Sequence, residues 1–514
     1  MAGKQRKGEK VIGYNERQKK VCYMNNRIFL FIACMALSAP LTSYAQVAAP
    51  SPVLPIPTDH QVAWQRMETY AFIHYGPNTF YGDDGIEWGY GDYPVDTFNP
   101  TLGYCDVDQW VEALQAGGMK GVILTAKHHG GFCLWPSKYT DYCIRFGPYK
   151  NGYGDVVGEL AESCRRHGMK FGVYLSPWDR HQAHYASPGY VEYYKNQLRE
   201  LLLNYGELFE VWFDGANGGD GWYGGANERR SIDKNNYYDF PTLFSYVREY
   251  QPQAIIFSNG GPGCRWVGNE DGTAGETNWA MMRSSDTTPA YDGSYSPTGM
   301  EDGDMWVAAE CDVSIRPGWF YHKAEDSRVK SADDLVNLYY KNVGRNATFL
   351  LNVPVTRSGR MHPTDVANLK AFRNKLDRIF ADNLLAKSIV KASEERGQGF
   401  EASKVLDGDF DSYWATADGK KSGTLTFQLA SSQKVNRVVL QEYIPLGQRV
   451  KSFRVEYSTD GSNWRDVNCG EQTTTIGHKR ILVFPTVTAT HLRVRFLDAR
   501  GPLCINEVGA YYAE

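Results

Sequence analysis

The feature that most constrains this chain is a unit that recurs between about residues 60 and 385: an amphipathic helix, a glycine, then a short apolar strand. Residues 106–117 place Val107, Trp110, Val111 and Leu114 at helical spacing, and the chain then enters Gly121-Val-Ile-Leu-Thr125. Residues 155–167 repeat this, closing on Gly168 before Phe171-Gly-Val-Tyr-Leu175. Residues 191–205 repeat it again, closing on Gly206 before Leu208-Phe-Glu-Val-Trp-Phe213. A fourth unit runs from Leu243 through Tyr250 and Pro252 to Ala254-Ile-Ile-Phe257. A glycine after a helix supplies the left-handed turn that sends the chain back. Strands that are apolar at every position are covered on both faces, which means a parallel sheet flanked by helices. Phe72-Ile73, Trp306-Val-Ala-Ala309 and Phe349-Leu-Leu351 read as further strands. A doubly wound sheet would carry a Gly-rich nucleotide loop after a strand, and the sequence has none. Seven or eight strands in about 320 residues therefore predict an α/β fold of the (β/α)8 type. A helix from Pro363 to about Ala381, with Leu369, Phe372, Leu376, Ile379 and Phe380 on one face, would close it.

Past residue 387 the pattern changes to short alternating strands at residues 424–429, 437–443, 453–457, 480–484 and 492–496. The turn Thr459-Asp460-Gly461-Ser462 separates two of them. This spacing predicts an all-β jelly-roll sandwich over 387–514, following a catalytic barrel over 46–386. At the other end, Arg27 precedes the apolar run from Ile28 to Leu37, and Ser43-Tyr44-Ala45 ends in the small-x-small pattern of a cleavage site. Residues 1–45 are expected to be a signal region, with Met24 as the natural start and cleavage after Ala45. The run is too short to span a bilayer. The expected location is therefore periplasmic or extracellular. The chain has 10 Cys; those beyond residue 45 are scattered without CxxC spacing, which favours free buried thiols over a zinc site or disulfide framework.

A net charge of −4 gives no electrostatic case for nucleic acid or anionic lipid as partner. Aromatic residues are 14% of the chain, enough for a large core or for platforms that stack on the C–H faces of sugars. In a barrel of this type the chemistry sits at the C-terminal strand ends. There the sequence places His74, Tyr75 and Gly76, then Lys127, His128 and His129, then Tyr174, Pro177, Trp178 and Asp179. Later come Asp214, Gly215 and Asn217, then Asn259 with Glu270 on a long loop, then Glu310 and Asp312. Asp214 ends the buried run Val211-Trp212-Phe213, where an acid is costly without purpose; it reads as a nucleophile or as a helix N-cap. Glu270 reads as a general acid/base, with Glu276 as the competing loop acid. Two carboxyls on barrel strands are what glycoside hydrolysis needs. The histidines have no HxH or HExxH spacing, so they read as donors and acceptors for sugar hydroxyls rather than as metal ligands. Trp88, Trp178, Trp212, Trp266 and Trp319 lie on or beside the same strand ends.

Phe72-Ile-His-Tyr-Gly76, Glu87-Trp88-Gly89, Thr125-Ala-Lys-His-His129 and Val211-Trp-Phe-Asp-Gly215, in this order, resemble the α-L-fucosidases of glycoside hydrolase family 29. Arg265-Trp-Val-Gly-Asn-Glu270 and the segment from Glu310 to His322 are similar to the subgroup that prefers α-1,3/1,4-linked fucose on branched, Lewis-type glycans. Asp407-Gly408 and Tyr413-Trp-Ala-Thr416 resemble coagulation factor 5/8 type C (discoidin-like) modules. The resemblance implies a retaining exo-α-L-fucosidase acting on fucosylated oligosaccharides or glycoproteins. It implies Asp214 as nucleophile and Glu270 as acid/base. His74, Glu87, Trp88, His128, His129, Tyr174 and Trp212 would form the fucose pocket. Trp319 would be an apolar wall for the C6 methyl, and Arg265 would hold the leaving sugar or steady Glu270. No cofactor or metal is implied for catalysis; for the C-terminal module, glycan binding, a structural Ca²⁺ and simple bracing of the barrel stay open. One position departs from the family: Gly130 stands where members often carry Asp beside the paired His. Two other readings remain open at this stage, a non-catalytic glycan-binding protein and a metal-dependent barrel hydrolase.

Overall fold

The computed structural model describes residues 47–81, 87–286 and 296–514; the signal region expected over residues 1–45 lies outside them. Eight parallel strands close into a barrel: β1 (Thr69–Ile73), β2 (Gly121–Lys127), β3 (Lys170–Leu175), β4 (Glu210–Trp212), β5 (Ile255–Ser258), β6 (Cys264–Trp266), β7 (Ala308–Ser314) and β8 (Ala347–Asn352). Each strand pairs with its neighbours in sequence, and β8 closes on β1.

The repeated units form as their patterns dictate. Asp106 caps the helix Val107–Ala116 by accepting from Gln109 N–H, and Asp155 caps Val156–His167 by accepting from Gly158 N–H. Gly168 ends that second helix at φ 67°, a conformation side-chain-bearing residues rarely adopt. The helix Pro363–Ile379 buries Leu369, Phe372 and Leu376 as expected. One strand escapes the pattern. β6 follows β5 after residues 259–263 with no helix between them, so Arg265 and Trp266 belong to a barrel strand and not to a loop.

The two largest apolar clusters among the described residues of the barrel divide its core. The larger lies between strands and helices and includes Trp110, Leu114, Leu160, Leu198, Leu243 and Phe372. The other fills the barrel interior with Tyr70, Phe72, Tyr174, Trp212 and Phe257, so much of the aromatic content is core. The eight described cysteines are free thiols, and all but Cys469 are buried.

The C-terminal domain is an antiparallel β sandwich. The short strands expected at 424–429 and 437–443 are parts of one strand, Gly423–Glu442, and those at 480–484 and 492–496 are parts of Arg480–Ala499. Register shifts after Gln428 and after Val435 bend the pair, as bulges do. The domain docks at the N-terminal ends of the barrel strands. Lys479 carbonyl accepts from Asn346 N–H at 3.0 Å, next to the start of β8, and the Lys479 ammonium pairs with Glu68, next to the start of β1. Asn278 N–H donates to Thr475 Oγ1 at 2.8 Å, and Arg345 pairs with Glu471 at 2.8 Å. Among the described residues, no helix is long and apolar enough to cross a membrane.

Candidate active site

Side chains two apart on a strand face the same way, so β4 aims Glu210, Trp212 and then Asp214 inward at rising heights. At the C-terminal end of the barrel these layers open into a cavity of about 280 Å³. His74, Trp88, His128, His129, Tyr174, Trp212, Asp214, Glu270 and Trp319 line it, together with Phe72, Asn259, Trp266 and Asp312. Nine of the expected residues are thus brought together from seven separate stretches of chain.

Asp214 follows β4. Its Oδ1 accepts from Ala216 N–H at 2.6 Å and its Oδ2 from the Tyr174 hydroxyl at 3.0 Å, which fixes the carboxyl's direction. Glu270 enters from beyond β6. Its Oε2 accepts from the Trp319 indole at 3.3 Å. Burial pushes the Glu270 pKa upward; the Trp319 bond opposes this, and the nearby Asp214 and Glu87 charges add to the rise. The two carboxyls therefore sit in one cavity with different surroundings.

His74 and His129 are buried and His128 is half-buried, and their surroundings favour the neutral ring. Burial lowers His74 to about 4 and holds His128 and His129 below the usual histidine range. His74 Nδ1–H donates to Asn352 Oδ1 at 2.9 Å, which leaves Nε2 as an acceptor. The same Oδ1 accepts from His74 N–H, while Asn352 Nδ2 donates to Ser314 Oγ and to the Trp319 carbonyl. His129 Nδ1 bonds Ser176 Oγ at 2.7 Å, and Ser176 in turn donates to the Trp178 carbonyl. His129 Nε2 stands 3.9 Å from Asp214 Oδ2. His128 Nδ1 is buried with no partner. Ser176 thus orients His129 without the Asp that Gly130 replaces. A Cβ at Gly130 would meet only the Trp88 carbonyl, at 3.8 Å.

Glu87 does not line the cavity; it builds its wall. Its Oε2 accepts from Trp319 N–H at 2.7 Å and Phe320 N–H at 3.1 Å, and its Oε1 lies 3.3 Å from His322 Nε2. A Cβ on Gly318 would fall 2.2 Å from Glu87 Oε1, so glycine is required for this approach. Trp88, half exposed, stands edge-on to His129 and Trp178. Trp178 lies behind the cavity, bonded to Tyr223.

Arg265 is a correction. It is fully buried and lies outside the cavity lining, where it donates to the carbonyls of Ser296 and Val307 and to Asn278 Oδ1. Its guanidinium binds the β6–β7 connection, away from the residues that line the cavity. Glu310 and Asp312 are a second correction: both lie within β7 and not past a strand end. Asp312 reaches the cavity and accepts from the Trp266 indole at 2.8 Å. Asn352 and Ser176, which orient His74 and His129, escaped the sequence reading because small polar residues near strand ends carry no distinctive signal. Lys127 is buried away from the cavity, bonded to Asp179 and Gln197 and ringed by Tyr190, Tyr193 and Tyr194.

Comparison with known proteins agrees with this geometry. The α-L-fucosidase family pattern matches residues 56–378, and the F5/8 type C domain pattern matches residues 389–508. The chain is 41% identical to Alpha-L-fucosidase 1 of Arabidopsis thaliana over 503 residues, 95% of this chain and 94% of that protein. A crystal structure of a glycoside hydrolase 29 family member from an unknown rumen bacterium is 44% identical. It aligns over 91% of this chain and 78% of its own, with a TM-score of 0.79. A Ruminococcus gnavus GH29 fucosidase solved in complex with fucose is 33% identical, with a TM-score of 0.80 over 91% of this chain and 97% of its own. A closed barrel whose cavity gathers Asp214, Glu270, Asp312 and three histidines, carrying this sequence pattern, belongs to the α-L-fucosidases of glycoside hydrolase family 29, here joined to a C-terminal F5/8 type C domain.

Proposed function

We propose that this α-L-fucosidase is a retaining exo-enzyme that removes α-1,3/1,4-linked fucose from branched, Lewis-type glycans. One observation carries the mechanism: Asp214 and Glu270 line one cavity, and burial pushes the Glu270 carboxyl toward the protonated form that an acid needs. In a double displacement, Asp214 attacks the anomeric carbon while Glu270 protonates the departing oxygen; Glu270 then takes the proton of the water that releases the sugar. His74, His128, His129 and Tyr174 would receive the fucose hydroxyls, and Trp319 and Trp88 would supply apolar faces. Glu87 acts by holding Trp319 in place. The linkage preference rests on the likeness of the Arg265–Glu270 and Glu310–His322 motifs to that subgroup.

The apolar run and the cleavage pattern ahead of residue 46 support export to the periplasm or beyond. Catalysis is proposed to need no metal, and chelation should leave turnover intact. A structural Ca²⁺ in the C-terminal module is a separate proposal. Among the described residues, no three metal-binding side chains converge in the sandwich, so such an ion would rest mainly on backbone carbonyls. Chelation that lowers Tm but not kcat would check it.

The deciding experiment is product analysis on glycans fucosylated through α-1,2, α-1,3, α-1,4 and α-1,6 linkages. Release from the α-1,3 and α-1,4 members is expected, with the anomeric configuration retained by NMR at early times. Release from α-1,2 or α-1,6 members alone would overturn the linkage reading.

A further inference from the structure

Beneath the sugar cavity the barrel holds a second pair of carboxyls that the mechanism does not use. Glu210 on β4 and Glu310 on β7 are fully buried. Glu310 Oε1 accepts from the Trp212 indole at 2.7 Å, and its Oε2 accepts from the Tyr70 hydroxyl. The Glu210 carboxyl lies beside it, the two approaching within 4.8 Å. Glu210 itself receives the Trp64 indole at 2.9 Å, with Cys264 Sγ 3.9 Å away. Burial pushes both pKa values upward, and the neighbouring Glu310 charge pushes Glu210 further. Glu310 holds an indole and a hydroxyl donor, whereas Glu210 holds an indole and a weak thiol donor, so Glu310 is the better-stabilised anion and Glu210 the better seat for a proton. Glu210, Cys264 and Glu310 lie close enough to hold a metal. However, Glu310 Oε1, Glu310 Oε2 and Glu210 Oε2 already accept N–H or O–H donors, which fits a shared proton better than a cation.

Trp212 connects this pair to the site. Its ring lines the cavity and stacks on Phe257 at 3.8 Å and on Tyr174 at 5.3 Å, and Tyr174 carries the hydroxyl on Asp214. We propose that Glu310 is a positioning residue of the fucose site: set beside Glu210 in the dry barrel interior, it anchors the Trp212 indole and, through the Trp212–Tyr174 stack, the floor on which the sugar lies. The proposal rests on the cavity being the fucose site. It does not depend on the roles given to Asp214 and Glu270, and its readouts need no turnover.

The test measures L-fucose binding to the full-length enzyme by calorimetry. Glu310→Met should weaken binding about tenfold, and Glu310→Gln, which keeps an acceptor for Trp212, should stay within about threefold of wild type. The Glu310→Met/Trp212→Phe double variant should bind fucose no more weakly than Trp212→Phe alone, because the anchor has nothing left to hold. A purely structural role would lower Tm and leave fucose affinity unchanged. Should Glu310→Met fail to fold, the Trp212 indole N–H can be read in ¹⁵N-labelled wild-type enzyme, assigned by its loss in Trp212→Phe. A far-downfield, exchange-protected resonance is expected for a bond to a buried carboxylate. Wild-type fucose affinity in Glu310→Met, full additivity in the double variant, an indole resonance in the free range, or one tightly bound divalent ion per chain would each overturn the proposal.

Discussion

Two pairs of carboxyl groups lie at two heights in one barrel, and their neighbours give them opposite characters. Glu210 and Asp214 leave the same strand region four residues apart. The upper pair, Asp214 and Glu270, lines a cavity that opens to solvent; the lower pair, Glu210 and Glu310, is sealed among Trp64, Tyr70 and Trp212. In the upper pair each acid has its own donors and a free approach for a ligand. In the lower pair the acids lie side by side, and the indoles around them leave no room for one. Spacing along a strand decides that an acid points inward; the layer it reaches decides whether it can react.

The comparison breaks most visibly if the upper pair is dispensable. Asp214→Ala should lower kcat on an aryl α-L-fucoside by at least about 10³-fold, and azide or formate should restore part of it. Near-wild-type turnover would remove Asp214 from the chemistry. Glu270→Ala should cost about 10²- to 10⁴-fold on a natural glycan, whose leaving group needs a proton, and far less on an aryl fucoside with a good leaving group. Because the Glu270 pKa is raised and its protonated form is the acid, kcat/KM should fall as pH rises through that value. Glu270→Gln should abolish this alkaline limb, seen in a pH profile of kcat/KM.

A smaller effect marks where the upper site stops. Arg265→Met leaves buried acceptors unpaired and should cost about 1–3 kcal/mol of stability. Its kcat and linkage preference should stay as in wild type, measured on the folded fraction. The smallest effect tests the lower pair. The folded pKa of Glu210 lies above its unfolded value of about 4.3, so its share of stability is complete below that pH and is lost as pH rises toward the folded value. Glu210→Gln cannot lose a proton, so its Tm should decline less than that of wild type between about pH 5 and pH 9. Parallel Tm curves would mean that the lower pair does not share a proton.

The barrel is legible in the sequence because three helix–glycine–strand units announce a parallel sheet, and Asp214 because an acid ends an apolar run. β6 is not, since three residues with no following helix have no periodicity to detect. Arg265 reads as a site residue because it neighbours Glu270 in sequence; only the fold shows that its side chain turns outward to the β6–β7 connection. The polar stretch Ser431-Ser432-Gln433-Lys434 imitates a turn, although it is a bulged part of one long strand. Glu310 has the alternation of any inward-facing strand residue, so its height in the barrel is invisible until β7 is set in register with β8.

Asn352 spends its whole amide on the site: Oδ1 takes two hydrogens from His74, and Nδ2 gives one each to Ser314 and the Trp319 carbonyl. Nothing is left over with which to change its mind. The His74 ring is therefore held in a single tautomer, with the Nε2 lone pair left over as an acceptor. A pocket wired in this way screens its guests by the direction in which a hydroxyl points, as well as by whether the guest fits.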